Sequence, residues 1–214
     1  IYQCDWSSDV CSADLIRVKP NFVDLPPAPE GPRQGLLYVG RLSVETGIGT
    51  LAQAMRRTSG GSTLRVAGTG PLEEQLVDIP GAERLGSLSP QDVASEMQRA
   101  AALVVPSIWK EMFGLVVIEA FANGLPVIAS RIGALATLVE HEQTGLLVEP
   151  NDPQSLANAM AWVNERPEAM REMGRRARQV YEERFTSRQN YRMLLDIYSQ
   201  ATSGAANTLR SPSA

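Results

Sequence analysis

The order of hydrophobic segments predicts an α/β protein built on a doubly wound parallel sheet. Short apolar runs that end at glycine, proline or serine alternate with longer segments whose apolar residues recur every three or four positions. The short runs are typical of strands buried on both faces, and the longer segments are typical of amphipathic helices. Strands that alternate with helices form right-handed βαβ units, so we expect a Rossmann-like sheet followed by C-terminal helices.

Each predicted strand of the sheet is closed by a turn residue. The strands are Leu36 to Val39 before Gly40, Leu64 to Ala67 before Gly68, Arg84 to Leu85 before Gly86, Ala102 to Val105 before Pro106, and Pro126 to Ala129 before Ser130. An earlier strand-like piece, Ile16 to Lys19, is stopped by Pro20. The carboxyl ends of parallel strands meet at one edge, so the loops that follow them are expected to lie close together.

Helical spacing fills the intervals between the strands and most of the last third of the chain. Between strands, apolar positions recur over Leu51 to Met55, Leu72 to Ile79 and Val93 to Ala100. Asp152 followed by Pro153 is a typical helix start. A second C-terminal helix is expected after Pro167, and a final one capped by Thr186 or Ser187.

The chain divides into four predicted segments. Residues 1–15 lack helical or strand periodicity and any signal-peptide pattern, so we interpret them as a non-native or disordered leader. Residues 16–35 form an opening segment and a linker rich in proline and glycine. Residues 36–200 form the folded domain with its C-terminal helices, and residues 201–214 are expected to be a disordered tail.

Composition excludes several functional classes. The 214 residues carry a net charge of −4, which does not favour nucleic acid or an anionic membrane as a partner. The two cysteines, Cys4 and Cys11, lie in the leader, and His141 is the single histidine. Neither a disulfide framework nor a multi-histidine metal site is therefore predicted for the core.

Two of the loops after predicted strands have weak ligand-binding signatures. Gly40 allows close approach of the backbone, and Arg41 supplies a planar positive group suited to a diphosphate. Gly68 and Gly70 precede Pro71, so free N–H groups there could meet a phosphate or a sugar hydroxyl. Taken separately, glycines in such loops more often mark tight turns.

The segment after the fourth strand is more specific. Glu111 and Glu119 stand eight positions apart across a junction between a loop and a helix that is expected to start near Gly114. The partial positive charge of a helix N-terminus favours anionic oxygens, and carboxylates beside it can accept hydrogen bonds from sugar and ribose hydroxyls. Glu119 lies among apolar residues, where an unpaired carboxylate is unfavourable, so a partner is expected.

Together these motifs resemble the C-terminal domain of GT-B glycosyltransferases, in particular the retaining family 4 with its Glu-x7-Glu motif. The motifs are Gly40-Arg41-Leu42-Ser43 with Gly47, Ala67-Gly68-Thr69-Gly70-Pro71, Glu111-x7-Glu119, Gly124 to Ser130, and Thr144 to Val148. They occur in the family's order over Ile16 to Gln200. Such enzymes have two Rossmann-like domains, and the C-terminal domain holds the nucleotide-sugar donor.

The resemblance implies a role for each matching residue. Arg41 would bind the donor diphosphate, Glu111 would contact the transferred sugar, and Glu119 would bind the ribose hydroxyls. Arg41 and Glu111 are the predicted catalytic residues. The remaining predicted donor-site residues are Gly40, Thr46, Gly68, Gly70, Leu85 and Gly86, the last two near the base, and Met112, Phe113, Gly114 and Leu115 through their amides.

Two departures from the family pattern stand out. Thr46 replaces the usual lysine that assists the arginine on the diphosphate, which puts donor affinity in question. The N-terminal domain that would bind the acceptor is absent from this sequence, so the chain by itself is expected to be inactive. The sequence contains no Asp-x-Asp motif, and we expect neither a metal requirement nor a cofactor.

The predicted function is retaining transfer of a sugar from a nucleotide diphosphate donor to a saccharide or lipid acceptor. Two alternatives stay open, a non-catalytic module that binds a nucleotide or nucleotide sugar and a related nucleotide-sugar epimerase. No nucleic acid partner is expected, and membrane association only through the absent half. The expected location is cytoplasmic, either free or peripheral at the inner membrane face.

Overall fold

The computed structural model describes residues 17–26, 31–58 and 61–208, and the predicted leader therefore lies outside the described residues. Within them the elements are β1 (Leu36–Val39), α1 (Ile48–Arg57), β2 (Leu64–Ala67), a 3-10 turn (Glu73–Leu76), β3 (Ala82–Gly86), α2 (Pro90–Arg99), β4 (Ala102–Val105), α3 (Leu115–Ala122), β5 (Val127–Ser130), α4 (Leu135–Leu138), β6 (Gly145–Val148), α5 (Pro153–Glu165), α6 (Pro167–Arg184) and α7 (Ser187–Thr208). The α/β class and the C-terminal helices are confirmed.

The described strands form one parallel sheet in the order β3-β2-β1-β4-β5-β6. Pairing runs outward in both directions from β1, which lies between β2 and β4. The chain winds outward from β1 to β3, crosses to β4 on the other side of β1, and winds outward again to β6. The place between β1 and β4 is therefore the topological switch point of a Rossmann-like sheet. Ligands of such sheets bind in the crevice outside the carboxyl ends of the two strands at that point.

Both faces of the sheet are buried, because each strand sends alternate side chains to opposite sides. On β1, Leu36 and Tyr38 join a core that includes apolar residues of α1 and α5. Leu37, between them, joins a second core that includes residues of α2, α3 and α6. This arrangement explains why the central strands β1, β4 and β5 are almost continuously apolar rather than alternating.

The starts of the C-terminal helices follow the predicted capping chemistry. The Asp152 carboxylate accepts hydrogen bonds from the N–H groups of Gln154 and Ser155 at 2.9 and 3.1 Å, with Pro153 opening α5. Thr186 accepts from the N–H of Gln189 at 3.3 Å, so Thr186 rather than Ser187 caps α7. None of the described helices is long and apolar enough to cross a membrane.

The predicted strand at Ile16 to Lys19 is wrong for its described part, since residues 17–20 form no strand. The Lys19 side chain and the Pro20 carbonyl bond to α7 instead of joining a sheet. Lys19 donates to Asn190 at 2.8 Å, and Asn190 donates to the carbonyl of Pro20 at 2.7 Å. These contacts hold residues 19 and 20 against α7, away from the sheet.

Two further predictions differ from the structure. The helix expected over Leu72 to Ile79 is only the 3-10 turn, because Val77 is extended with ψ of 142° and Asp78 follows with a left-handed φ of 57°. At the C-terminus, α7 continues to Thr208, so residues 201–208 of the predicted disordered tail are helical. Three alanines in that stretch favour helix, and the preceding turns have already nucleated it.

Candidate functional site

The two loops at the switch point are in direct contact. Residues 40–47 follow β1 and residues 106–114 follow β4. The N–H of Ile108 donates to the carbonyl of Glu45 at 2.9 Å. Gly47 has a left-handed φ of 77°, and a Cβ at this position would run into the carbonyl oxygen of Pro106. Glycine at 47 thus permits both the turn and the close approach of the loops.

The loop after β2 packs against the loop after β1 in the same way. Leu42 donates through its N–H to the carbonyl of Thr69 at 2.9 Å, which continues the pairing of the strands beyond their ends. A Cβ on Gly68 would collide with the carbonyl oxygen of Gly40, and one on Gly70 with that of Leu42. The predicted glycines are therefore required for loop packing, whatever ligand they meet.

Arg41 lies at the exposed surface of this edge. Among the described residues, no carboxylate forms an ion pair with its guanidinium, and only a longer-range electrostatic effect on exposed Glu45 involves it. Its main chain is held firmly by contrast, because its carbonyl oxygen accepts hydrogen bonds from the hydroxyls of Tyr38 and Thr46, each at 2.7 Å. Arg41 therefore combines an anchored backbone with a free positive charge.

The N-terminus of α3 faces the same edge. Gly114 precedes the helix in a left-handed conformation, with φ of 76°, as the predicted helix start near this residue requires. The N–H groups of Met112, Phe113 and Gly114 have no acceptor within the described part of the chain. Leu115, in the first helical turn, has no intrahelical acceptor for its N–H either. This cluster of free donors at a helix N-terminus is suited to anionic ligand oxygens.

The two glutamates have different environments. Glu111 accepts a hydrogen bond from the Ser107 hydroxyl at 2.5 Å, and Ser107 is buried. Glu119 lies half-buried in the second turn of α3, and burial raises the pKa of its carboxyl above the usual range. Its carboxylate has no hydrogen-bond or ion-pair partner among the residues that the structure describes. The partner that the sequence analysis expected for Glu119 is thus not supplied by this part of the chain.

The end of β3 completes the edge. Leu85 and Gly86 are partly exposed, and the carbonyl of Gly86 accepts a hydrogen bond from the N–H of Gly68 at 2.7 Å. This bond joins the end of β3 to the loop after β2. The sequence-predicted site residues thus lie at the carboxyl ends of β1, β2, β3 and β4 or in the loops and helix that follow them, at one edge of the sheet.

Some residues at this edge were missed by the sequence analysis. Tyr38 and Ser107 bond to Arg41 and Glu111 respectively, but a core tyrosine and a loop serine carry no sequence signal for that. Met112, whose amide was predicted to reach the donor, and Trp109, which was not predicted to be a ligand, have side chains that are 99% and 71% exposed.

A cavity of about 1050 Å³ lies at the opposite, amino edge of the sheet, and we do not assign the site to it. Its walls include Arg33, whose guanidinium donates to the carbonyls of Met97 and Ala100 at 3.0 and 3.3 Å and of Asn123 at 2.6 Å. These bonds close the C-terminal ends of α2 and α3. Arg33 therefore has a structural explanation, and the free donors and the free arginine lie at the other edge.

The strand order and the crevice at its switch point define a Rossmann-like domain. A family model described as "Glycosyl transferases group 1" matches residues 27–180. The chain therefore belongs to the glycosyl transferases group 1 family.

Comparisons with individual proteins agree with this family. The chain is 39% identical over 167 residues to a glycogen synthase of Mycobacterium tuberculosis, which covers 72% of this chain and 40% of that protein. A sucrose-phosphate synthase of Thermosynechococcus elongatus superposes with a TM-score of 0.71 at 31% identity, over 80% of this chain and 46% of that one. HepE of Anabaena in complex with UDP superposes with a TM-score of 0.71 at 23% identity, over 80% and 49%. The chain thus spans less than half the length of these proteins.

Proposed function

We propose that this chain supplies the nucleotide-sugar donor site of a glycosyltransferase. The observation that carries the proposal is the pairing of an unopposed arginine with free backbone donors where two loops meet. The guanidinium of Arg41 has no carboxylate partner among the described residues, and the N–H groups of Met112 to Gly114 have no acceptor there. A diphosphate would satisfy both groups at once.

The rest of the donor is assigned by the chemistry of the remaining groups. A ribose diol would donate hydrogen bonds to the carboxylate of Glu119, whose raised pKa reflects burial without a partner. The base would lie toward Leu85 and Gly86 at the end of β3. Glu111, oriented by Ser107, would accept from hydroxyls of the sugar that is transferred. UDP bound to HepE, a protein of the same fold, supports a nucleotide diphosphate as the ligand class.

The proposed reaction is transfer with retention of the anomeric configuration. The bond between the anomeric carbon and the diphosphate oxygen breaks, and a bond from the same carbon to an acceptor hydroxyl oxygen forms on the same face. The departing phosphate takes the acceptor proton. Arg41 and the N-terminus of α3 would stabilise the charge that develops on the leaving diphosphate, which is the interaction expected to speed the reaction.

We infer that the acceptor, a saccharide or a lipid, binds outside the described residues. The exposed side chains of Met112 and Trp109 at the mouth of the site support this, because closure of a second domain over them would exclude water from the donor. We also propose that no metal ion is needed, since arginine and a helix N-terminus can offset the leaving-group charge.

Calorimetric titration of the 214-residue chain with UDP, GDP and ADP tests the proposal. One of the three nucleotides is expected to bind with micromolar to millimolar affinity, and its identity assigns the base. Glu119→Ala is expected to weaken that binding at least about tenfold, which corresponds to the loss of a hydrogen bond to a charged group.

Glu165→Ala is the matched control, because Glu165 is an exposed glutamate at the end of α5, away from the candidate site. This variant is expected to bind like the wild type. A folded wild-type chain that binds none of the three nucleotides, or a Glu119→Ala variant that binds as tightly as Glu165→Ala, contradicts the assignment.

A further inference from the structure

Tyr38 lies beneath the candidate site and bonds to the main chain of one of the two candidate catalytic residues, Arg41. It lies in β1 with only 2% of its surface exposed, and its ring packs in the core with residues of α1. Its hydroxyl reaches out of that core and donates to the carbonyl oxygen of Arg41 at 2.7 Å. A buried hydroxyl with this bond fixes the main chain of the residue it contacts.

A second hydroxyl reinforces the same point. Thr46 Oγ1 lies 2.7 Å from the Arg41 carbonyl oxygen and 3.0 Å from that of Ser43, and it accepts from the Ser43 N–H at 3.3 Å. The usual lysine of this family is thus replaced by a side chain that bonds within its own loop. Residues 40–47 are consequently held by hydroxyl groups from β1 and from the loop itself.

The hydroxyl of Tyr38 is also affected by a charge in the loop after β4, that of Glu111. Burial raises the pKa of Tyr38 to about 12, an effect that the nearby Thr46 hydroxyl opposes and the negative charge of Glu111 reinforces. The tyrosine therefore stays protonated at every pH at which the protein is expected to function. It is a permanent donor, and it lies within electrostatic reach of the Glu111 carboxylate.

We propose that Tyr38 is a positioning residue that holds Arg41, through its main-chain carbonyl, in the place where its side chain meets the donor diphosphate. This inference rests on the proposed function. Tyr38 touches neither diphosphate nor sugar, and it acts through the conformation of residues 40–47. Thr46 shares the task from the other side of the same carbonyl oxygen.

Tyr38→Phe tests the proposal because it removes one oxygen and leaves the ring in the core. Affinity for the best-bound of UDP, GDP and ADP is expected to fall about fivefold, the effect of one neutral hydrogen bond. Hydrogen exchange of the amides in residues 40–47, measured by mass spectrometry without nucleotide, is expected to become faster. Thr46→Val is expected to change both measurements in the same direction.

Tyr181→Phe is the matched control. Tyr181 is also 2% exposed, and its hydroxyl donates to a main-chain carbonyl, that of Val23 at 3.1 Å, far along the chain from the candidate site. This variant measures what the loss of a buried tyrosine hydroxyl does to stability alone. Its nucleotide affinity and its exchange over residues 40–47 are expected to match the wild type.

The outcomes separate this inference from the function on which it rests. A Tyr38→Phe chain that binds nucleotide as tightly as Tyr181→Phe overturns the positioning role, as does unchanged exchange over residues 40–47. A wild-type chain that binds none of the nucleotides overturns the proposed function and with it the role in diphosphate binding. In that case the exchange measurement still decides whether Tyr38 orders the loop.

Discussion

At the scale of single residues, Glu119 shows how a binding group differs from a stabilising one. Its carboxyl is half-buried and without a partner among the described residues, and burial raises its pKa. A group that is unfavourable in the free protein is retained when it becomes favourable with a ligand bound. Arg41 presents the same pattern with the opposite charge, since its anchored main chain carries a side chain with no ion-pair partner within the described part of the chain.

Glu119→Gln is expected to stabilise the nucleotide-free chain at neutral pH while weakening nucleotide binding. The folded-state pKa of Glu119 is raised, so the folded protein binds its proton more tightly than the unfolded chain does. The charged form therefore destabilises the fold above the folded-state pKa, and this penalty disappears as the pH falls toward the unfolded value. The glutamine amide has nearly the same shape and no charge.

Thermal unfolding of the two proteins between about pH 4 and pH 8 measures this difference, because an ordinary glutamate titrates near the lower limit. The melting temperature of Glu119→Gln is expected to exceed that of the wild type at neutral pH and to converge with it at the acidic end. A melting temperature below that of the wild type at neutral pH would show instead that the Glu119 carboxylate stabilises the fold.

At the scale of elements, the site depends on how closely loops of different strands approach. The loop after β1 meets the loop after β4 at Gly47 and the loop after β2 at Gly68. Each contact places a glycine against a carbonyl oxygen of the neighbouring loop, where a side chain would not fit. The free N–H groups at the start of α3 keep their position relative to Arg41 because these loops abut.

Gly47→Ala and Gly86→Ala separate the two reasons for glycine. Both positions have left-handed φ values, 77° and 67°, but a Cβ meets the Pro106 carbonyl at Gly47 and nothing within 4 Å at Gly86. Gly86→Ala is expected to lower the free energy of unfolding by about 1–2 kcal/mol, the effect of backbone strain alone. Gly47→Ala is expected to lower the free energy of unfolding by about 1–3 kcal/mol more than Gly86→Ala does, because the added Cβ overpacks the contact with Pro106.

Urea denaturation followed by circular dichroism gives both values under the same conditions. Equal losses for the two variants would mean that the loops after β1 and β4 can separate without penalty. The close contact at the switch point would then not be needed to hold the site together.

At the scale of the whole molecule, the last helix presents an apolar face to solvent. Tyr191, Leu195 and Tyr198 recur at spacings of four and three, and they are 61%, 48% and 62% exposed. Much of the charge on the neighbouring helix α6 is paired, as in the contacts of Arg175 and Arg176 with Glu172 at 2.5 and 3.0 Å. The exposed face of α7 therefore stands out from a surface that is otherwise balanced in charge.

The isolated chain is expected to self-associate through this face as its concentration rises. Light scattering should report an average mass above 23.2 kDa at high protein concentration. Leu195→Glu is expected to return the mass toward that of the monomer. Gln200→Glu adds the same charge on the opposite side of the helix, keeps an acceptor for the hydrogen bond from Arg17 at 3.0 Å, and is expected to leave the average mass unchanged. A monomeric mass at all concentrations would show that this face of α7 does not mediate self-association.

The sequence by itself determined the class of fold, because strand and helix periods are local properties of the chain. It also predicted that the proposed site residues lie at the carboxyl edge of the sheet, since turn residues mark the ends of strands and Gly114 marks the start of α3. The family was predictable for the same reason, from motifs in a characteristic order. The predictions for the 3-10 turn, for residues 17–20 and for the end of α7 differ from the structure because the local sequence pattern was weak there. Neighbouring elements determined the conformation of these segments instead.

Only the tertiary structure decided which groups of the site are free and which are engaged. The bonds of Tyr38 and Thr46 to one carbonyl, and of Ser107 to Glu111, join residues that no periodicity links. The strand order that brings β1 beside β4 is equally non-local. Hydrogen bonding and burial depend on distances in space, and these become defined only when segments far apart in the sequence pack against one another.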